Sequence, residues 1–281
     1  MNAPSIDVLA IGNAIVDVIA HVDDRFLAEQ GIEKGAMTLI DEAGADGLYD
    51  RMPPGREVSG GSAANTAVGV ASFGGTAAYV GKVRDDQLGT VFAHDLRAAG
   101  VQFDTPPATN GASTARCLIA VTPDAQRSMS TFLGACTALT PDDIDDKLVA
   151  RSAVTYLEGY LYDPPEAKNA FHKAARAAAM AGQKVSLSLS DPFCVDRYRA
   201  EFQDLVSNHV DILFANEAEI VSLYQVAGFD EALAAVRGQC EVAALTRSEK
   251  GSVIVTGEQV IDVPARPVER LVDTTGAGDL Y

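Results

Sequence analysis

From about residue 140 onward, short apolar runs alternate with amphipathic stretches. This rhythm restricts the fold more than any other feature of the 281-residue chain. Val154–Leu157, Val185–Leu189, Ile212–Ala215 and Val242–Leu245 read as buried strands. Pro141–Leu148, Pro165–Ala181, Arg197–Ser207, Glu217–Gln225 and Asp230–Arg237 read as helices, with Gly182 as the stop of the second. A hairpin of Ser252–Thr256 and Gln259–Val263 turns about Gly257-Glu258. Strand-then-helix order predicts an α/β fold, a mostly parallel sheet with helices on both faces. Ligands of such sheets bind beyond the carboxyl ends of the strands.

The first half keeps the rhythm in part. Asp7–Ile11 and Ala77–Val83 read as strands, and Ser62–Phe73 and Gln87–Ala99 as helices ending at glycines. Ile15–Ala20, Met37–Ile40 and the hairpin Thr114–Val121/Ser128–Phe132 do not fit it and are expected to form a small separate sheet. With 47% apolar and 22% charged residues the chain can fill a core, which excludes a disordered acidic chain. Its net charge of −17 disfavours nucleic acid and anionic membranes as main partners. The four cysteines show no C-x-x-C spacing and the four histidines no ligand spacing, so buried free thiols are expected rather than zinc. The N-terminus has no Lys or Arg before Arg25, and no window has the ~18 apolar residues of a membrane span. The expected location is cytoplasmic.

Two segments can carry chemistry. In Asp273-Thr274-Thr275-Gly276-Ala277-Gly278-Asp279 the glycines let successive backbone N–H groups converge on one anion, with Asp279 placed to take a proton from an attacking hydroxyl. A plain glycine turn with Asp279 as a helix cap is the alternative. Gly60-Gly61-Ser62-Ala63-Ala64-Asn65 is either a turn feeding a helix or a polyol-binding loop.

Taken in order with Gly12-Asn13-x-x-x-Asp17 and Asn216-x-x-Glu219, these segments resemble the signatures of the PfkB, or ribokinase-like, carbohydrate and nucleoside kinases. The G-N-x-x-x-D and G-G-S-x-x-N patterns and Arg127-Ser128 look most like the adenosine kinase branch. The resemblance implies one ribokinase-like domain over 1–281, a three-layer α/β/α unit with a small β-sheet lid from about 13–40 and 112–135. It implies ATP-dependent phosphorylation of a primary hydroxyl of a ribose-containing substrate, foremost the 5′-hydroxyl of adenosine. A sugar kinase acting on ribose, fructose or a keto-acid sugar is the alternative within the family. A non-catalytic nucleoside-binding protein is the alternative outside it.

Carried over by position, Asp279 is the catalytic base and Gly276, Ala277 and Gly278 the anion hole. Asp17 accepts hydrogen bonds from two ribose hydroxyls, and Asn13, Gly61, Ser62 and Asn65 complete the substrate site. Asn216, Thr246, Ser248 and Gly251 lie on the ATP side, with Ser248 where the family usually has glycine. Arg127 on the lid pairs with phosphate oxygens, or is a solvated hairpin residue. Glu219 reaches Mg²⁺ through water, or caps a helix with Asn216. ATP and Mg²⁺ are the expected cofactors, and a monovalent cation is admitted. The partner is a small nucleoside or sugar, and the chain is a monomer or a homodimer joined through the lid. Ile15, Met37, Leu133 and Phe171 are candidates for a base slot. The chain stops at Tyr281, where family members continue with helices that wall the purine of ATP. Residues 1–281 alone are therefore expected to bind weakly and turn over poorly, an expectation that near-normal kcat from them would contradict.

Overall fold

The computed structural model describes residues 4–267 and 276–281. Strand β1 (Ile6–Ile11) runs through the middle of the main sheet, and at Gly12-Asn13 the chain crosses into a second sheet through β2 (Ile15–His21). There follow α1 (Asp24–Gln30), β3 (Met37–Leu39), α2 (Glu42–Arg51) and β4 (Arg56–Gly60), before α3 (Ser62–Ser72) returns to the main sheet. β5 (Ala77–Val80), α4 (Gln87–Ala98) and β6 (Val101–Phe103) complete one flank, and the hairpin β7 (Ala115–Val121)/β8 (Arg127–Phe132) revisits the second sheet. The rest alternates: α5 (Asp146–Ala150), β9 (Ser152–Glu158), α6 (Pro165–Ala181), β10 (Lys184–Ser188), α7 (Pro192–Asn208), β11 (Ile212–Asn216), α8 (Glu217–Tyr224), α9 (Phe229–Val236), β12 (Val242–Thr246), β13 (Ser252–Thr256) and β14 (Val260–Val263).

Among the described residues the main sheet has the order β14-β13-β12-β11-β10-β9-β1-β5-β6. It is parallel from β12 to β6, with β13 and β14 antiparallel at one edge. Successive side chains of a strand point to opposite faces. Leu9 and Ile11 of β1 therefore join the larger core with Leu157, Leu187, Leu213 and Leu245 beneath α6–α9, while Ala10 joins Tyr79, Phe92 and Phe103 beneath α3 and α4. On the α3 side, Val154, Tyr156, Ser186, Ser188, Ile212 and Phe214 line an open cavity of about 330 Å³ with Phe73 and Leu280.

The second sheet has the order β3-β8-β7-β2-β4. It gathers the strands that break the rhythm and adds β4. One face packs Val18 and Leu118 on Leu48 of α2, and the other carries Asp17.

Several local expectations change. Pro141–Leu148 is not one helix: Thr140 and Asp143 form a capping box on a short 3-10 turn, and Asp145 then caps α5, so two start signals in succession interrupt the run. α7 begins at Pro192 rather than Arg197, because Asp191 caps the Phe193 N–H and Pro192 suits the first turn. Phe171 is fully buried in α6, its ring 5.7 Å from that of Tyr162, so it belongs to the core and to no base slot. All four cysteines are free. Among the described residues no helix is long and apolar enough to cross a membrane.

Candidate active site

Gly12-Asn13 and Gly60-Gly61 meet where the two sheets join, because β2 and β4 pair antiparallel with Ile15 opposite Gly60. Neither Gly60 nor Gly61 has room for a side chain. A Cβ on Gly60 would lie 2.4 Å from the Asp17 carboxyl carbon, and one on Gly61 2.4 Å from the Asn13 carbonyl oxygen. Gly61 also has φ +91, which L side chains adopt only with strain. The Gly-Gly pair thus lets one loop close on the other and on Asp17.

Glu158, which sequence reading missed, ties these loops together. It ends β9 and is 1% exposed. One carboxylate oxygen accepts from the Ser62 hydroxyl (2.5 Å) and the Ala63 N–H (3.1 Å), the other from the Asn13 N–H (2.6 Å). The acceptor for the start of α3 therefore comes from a distant strand, an anion placed where the helix dipole favours one. Burial pushes the Glu158 carboxyl up, and its three donors pull it back down in part. The signal in sequence is a single acid closing an apolar strand just before Gly159.

Asp17 stands on β2 opposite Cys117 of β7 and Val58 of β4. Burial raises its carboxyl to about 6, opposed by the charge of Arg127 and reinforced by that of Asp279. Arg127, expected on phosphate, thus bears electrostatically on Asp17 from β8. Register places Asp17, Cys117, Thr131 and Leu39 in one row and Ile19, Ile119, Met129 and Met37 in the next row on the same face. Met37 and Leu39 are half-exposed.

The described part of the glycine-rich motif, Gly276–Asp279, forms a tight turn closed by the Leu280 N–H on the Gly276 carbonyl, 3.0 Å. Asp273–Thr275 lie outside the described residues. A single turn of this kind supplies no partner of its own for the N–H groups of Ala277, Gly278 and Asp279, which is the requirement for an anion site. Asp279 rests on α3: Asn65 Nδ2 donates to its Oδ2 at 2.9 Å, and the Thr66 hydroxyl donates to its carbonyl at 2.8 Å.

Asn216 and Glu219 form a reciprocal cap at the start of α8, Asn216 N–H to Glu219 Oε2 at 2.9 Å and Glu219 N–H to Asn216 Oδ1 at 2.9 Å. The cap expected of this pair is present, and Glu219 also lines a cavity of about 200 Å³ with Ser62, Ser188, Ser190, Asn216, Thr246, Gly278 and Asp279. Burial raises the Glu219 carboxyl to about 7. This cavity brings the two motif ends and the Asn-x-x-Glu pair to the carboxyl ends of β9–β12. Among the described residues no three His, Cys, Asp or Glu side chains converge as a metal-ligand cluster. The cavity's two carboxylates, Glu219 and Asp279, stand among hydroxyl and amide groups, a donor set that suits a hydrated hard cation.

Asn216 and Thr246 also line a neighbouring cavity of about 610 Å³ with Ser248, Arg247 and Lys250. Ser248 has φ +51, so the loop keeps the left-handed turn that glycine would take there. Gly251 (φ +92) does not line this cavity. It packs on the Val263 carbonyl, 2.1 Å from where a Cβ would stand. Asn13 is buried at the sheet junction.

The chain is similar to a crystal structure of adenosine kinase from Sinorhizobium meliloti, 56% identical over 98% of this chain and 85% of that one, with a TM-score of 0.89. It is also similar to a probable sugar kinase from Rhizobium etli, 52% identical over 99% of this chain and 84% of that one, TM-score 0.90. The adenosine kinase of Saccharomyces cerevisiae is 26% identical over 100% of this chain and 87% of its own length. The model of the pfkB family carbohydrate kinases matches residues 6–281. With its ribokinase-like α/β fold, this chain belongs to that family and is a kinase.

Proposed function

We propose that the protein transfers the γ-phosphoryl group of ATP to the 5′-hydroxyl of adenosine or a closely related ribonucleoside. The observation that carries this reading is the meeting of Asp279, Ser62, Asn216, Glu219 and Thr246 around one cavity. This supports Asp279 as a carboxylate between an acceptor side at Ser62 and a nucleotide side at Asn216 and Thr246. Asp279 accepts the proton of the 5′-hydroxyl as that oxygen attacks the γ-phosphorus. The bond from the γ-phosphorus to the β–γ bridging oxygen breaks, and ADP leaves. The Gly276–Gly278 turn offers N–H groups to charge developing on the transferred group. Asn216 and Glu219 would hold Mg²⁺ through water, and the ion when bound neutralises phosphate charge.

A nucleoside is favoured over a free sugar by the lid face. The Asp17 row supplies a carboxylate for two vicinal hydroxyls, with Asn13 and Asn65 nearby. In the adjoining row Ile19, Met129 and the half-exposed Met37 flank the buried Ile119 and supply an aliphatic surface of the kind a flat base covers. A free sugar has nothing to place there. Phosphorylation of adenosine measured beside ribose, fructose and keto-acid sugars tests this choice.

The state of Asp17 gives this reading a pH signature. With its carboxyl near 6, Asp17 is ionised and accepts hydroxyls at pH 7.5. As pH falls through about 6 it gains a proton and loses acceptor capacity. Arg127, Cys117 and Asp279 are the groups that face it. Nucleoside Kd, measured calorimetrically, is expected to rise below pH 6 toward about tenfold per pH unit, and D17N should remove that slope. A Kd flat from pH 7.5 to pH 5 would contradict the assignment.

A further inference from the structure

The acceptor loop and the proposed base share one scaffold, the first two turns of α3. Its N-terminus is fixed by Glu158 through Ser62 and Ala63. One turn on, two adjacent side chains reach Asp279 from different directions. Asn65 Nδ2 donates to carboxylate Oδ2 (2.9 Å), and the Thr66 hydroxyl donates to the main-chain carbonyl (2.8 Å) while also lying 3.1 Å from the Ser62 carbonyl. Tyr156, buried on β9, lines the same cavity as Thr66, Ser188 and Asp279. A turn further, Gly69 lets Leu280 pack directly on the helix, where a Cβ would stand 2.6 Å from the Leu280 side chain.

We propose that Asn65 and Thr66 are positioning residues for Asp279, an inference that rests on Asp279 being the base. Asn65 occupies Oδ2 and so turns Oδ1 to the acceptor hydroxyl. Thr66 holds the main chain of the anion-hole turn at a fixed height above β9. The same helix presents Ser62 to the acceptor side. The tie of the sugar loops to Glu158 and the placement of the base therefore run through one helix. Asn65 thereby has a role beyond orienting the sugar, and Thr66, absent from the expected site, acquires one.

The test compares T66V, T66S, N65A and D279N in the full-length protein, reading kcat, KM for nucleoside and for ATP, and melting temperature. T66V keeps the side-chain shape and removes the donor. It is expected to lower kcat about tenfold with both KM values within about twofold, because misplacing a reacting group costs rate rather than affinity. T66S restores the hydroxyl and is expected to restore kcat. N65A is expected to lower kcat at saturating substrate by about a hundredfold. Wild-type kcat in T66V overturns the proposal, as does T66S as impaired as T66V, or a loss confined to KM. Should T66V fail to fold, T66A against T66S gives the same contrast. An inactive D279N beside an unaffected T66V defeats the positioning role alone. A fully active D279N defeats the base assignment and this inference with it.

Discussion

Replacing Asp279 by Asn is expected to reduce kcat by about 10³-fold, the range of a positioned general base, with nucleoside affinity and melting temperature nearly unchanged. Asn keeps the shape and an acceptor oxygen for the Asn65 amide, so the 2.9 Å contact with α3 can survive. It cannot take up the hydroxyl proton. The loss must therefore appear in the chemical step, read as single-turnover phosphoryl transfer, and not in binding. A variant as fast as the wild type would remove Asp279 from the reaction. A variant lacking nucleoside affinity would recast it as a binding group.

The second large effect is expected at Glu158. Glu158→Ala leaves the Asn13 N–H, the Ala63 N–H and the Ser62 hydroxyl without their buried acceptor. Stranding such donors costs about 3 kcal/mol or more in stability, read as a lower urea midpoint at unchanged slope. The damage should reach function, because both acceptor loops lose their common tie. Nucleoside KM is expected to rise about tenfold, whereas KM for ATP is not. Glu158→Gln keeps one acceptor oxygen but points an amide donor at donors, so it should recover only part of the stability. An E158A protein with wild-type stability and KM would show that the loops hold themselves.

These two residues also mark what the sequence can and cannot reveal. Asp279 was legible because the peptide around it is short, glycine-rich and contiguous. Asn216 and Glu219 were legible because three residues' spacing at a helix start is a local pattern. Glu158 was not, since its partners lie 145, 96 and 95 residues away along the chain. Only the fold brings them together. Thr66 escaped for the same reason, its contact with Asp279 spanning 213 positions.

The fold divides in a similar way. Fully buried parallel strands such as Leu213 and Leu245 announce themselves as apolar runs, so the sheet of the second half was read nearly strand for strand. In the second sheet β2, β3 and the β7/β8 hairpin are expected from their apolar residues, whereas β4 is not. β4, Arg-Glu-Val-Ser-Gly, has no apolar run at all and exists because β2 offers it a partner. α2 carries two glycines and few apolar side chains, yet Ala45 and Leu48 suffice to seat it on the sheet. Tertiary contact, rather than propensity, decides such elements.

A PfkB-type kinase site that serves a ribonucleoside must show it in its choice of acceptor. The most direct measurement is ATP- and Mg²⁺-dependent phosphorylation by the full-length protein across adenosine, other ribonucleosides, ribose, fructose and keto-acid sugars, with products identified by phosphorus NMR. Adenosine 5′-monophosphate is expected as the main product, formed at a kcat/KM well above that of any free sugar and lost in D279N. Turnover of free sugars alone, with adenosine untouched, would contradict it.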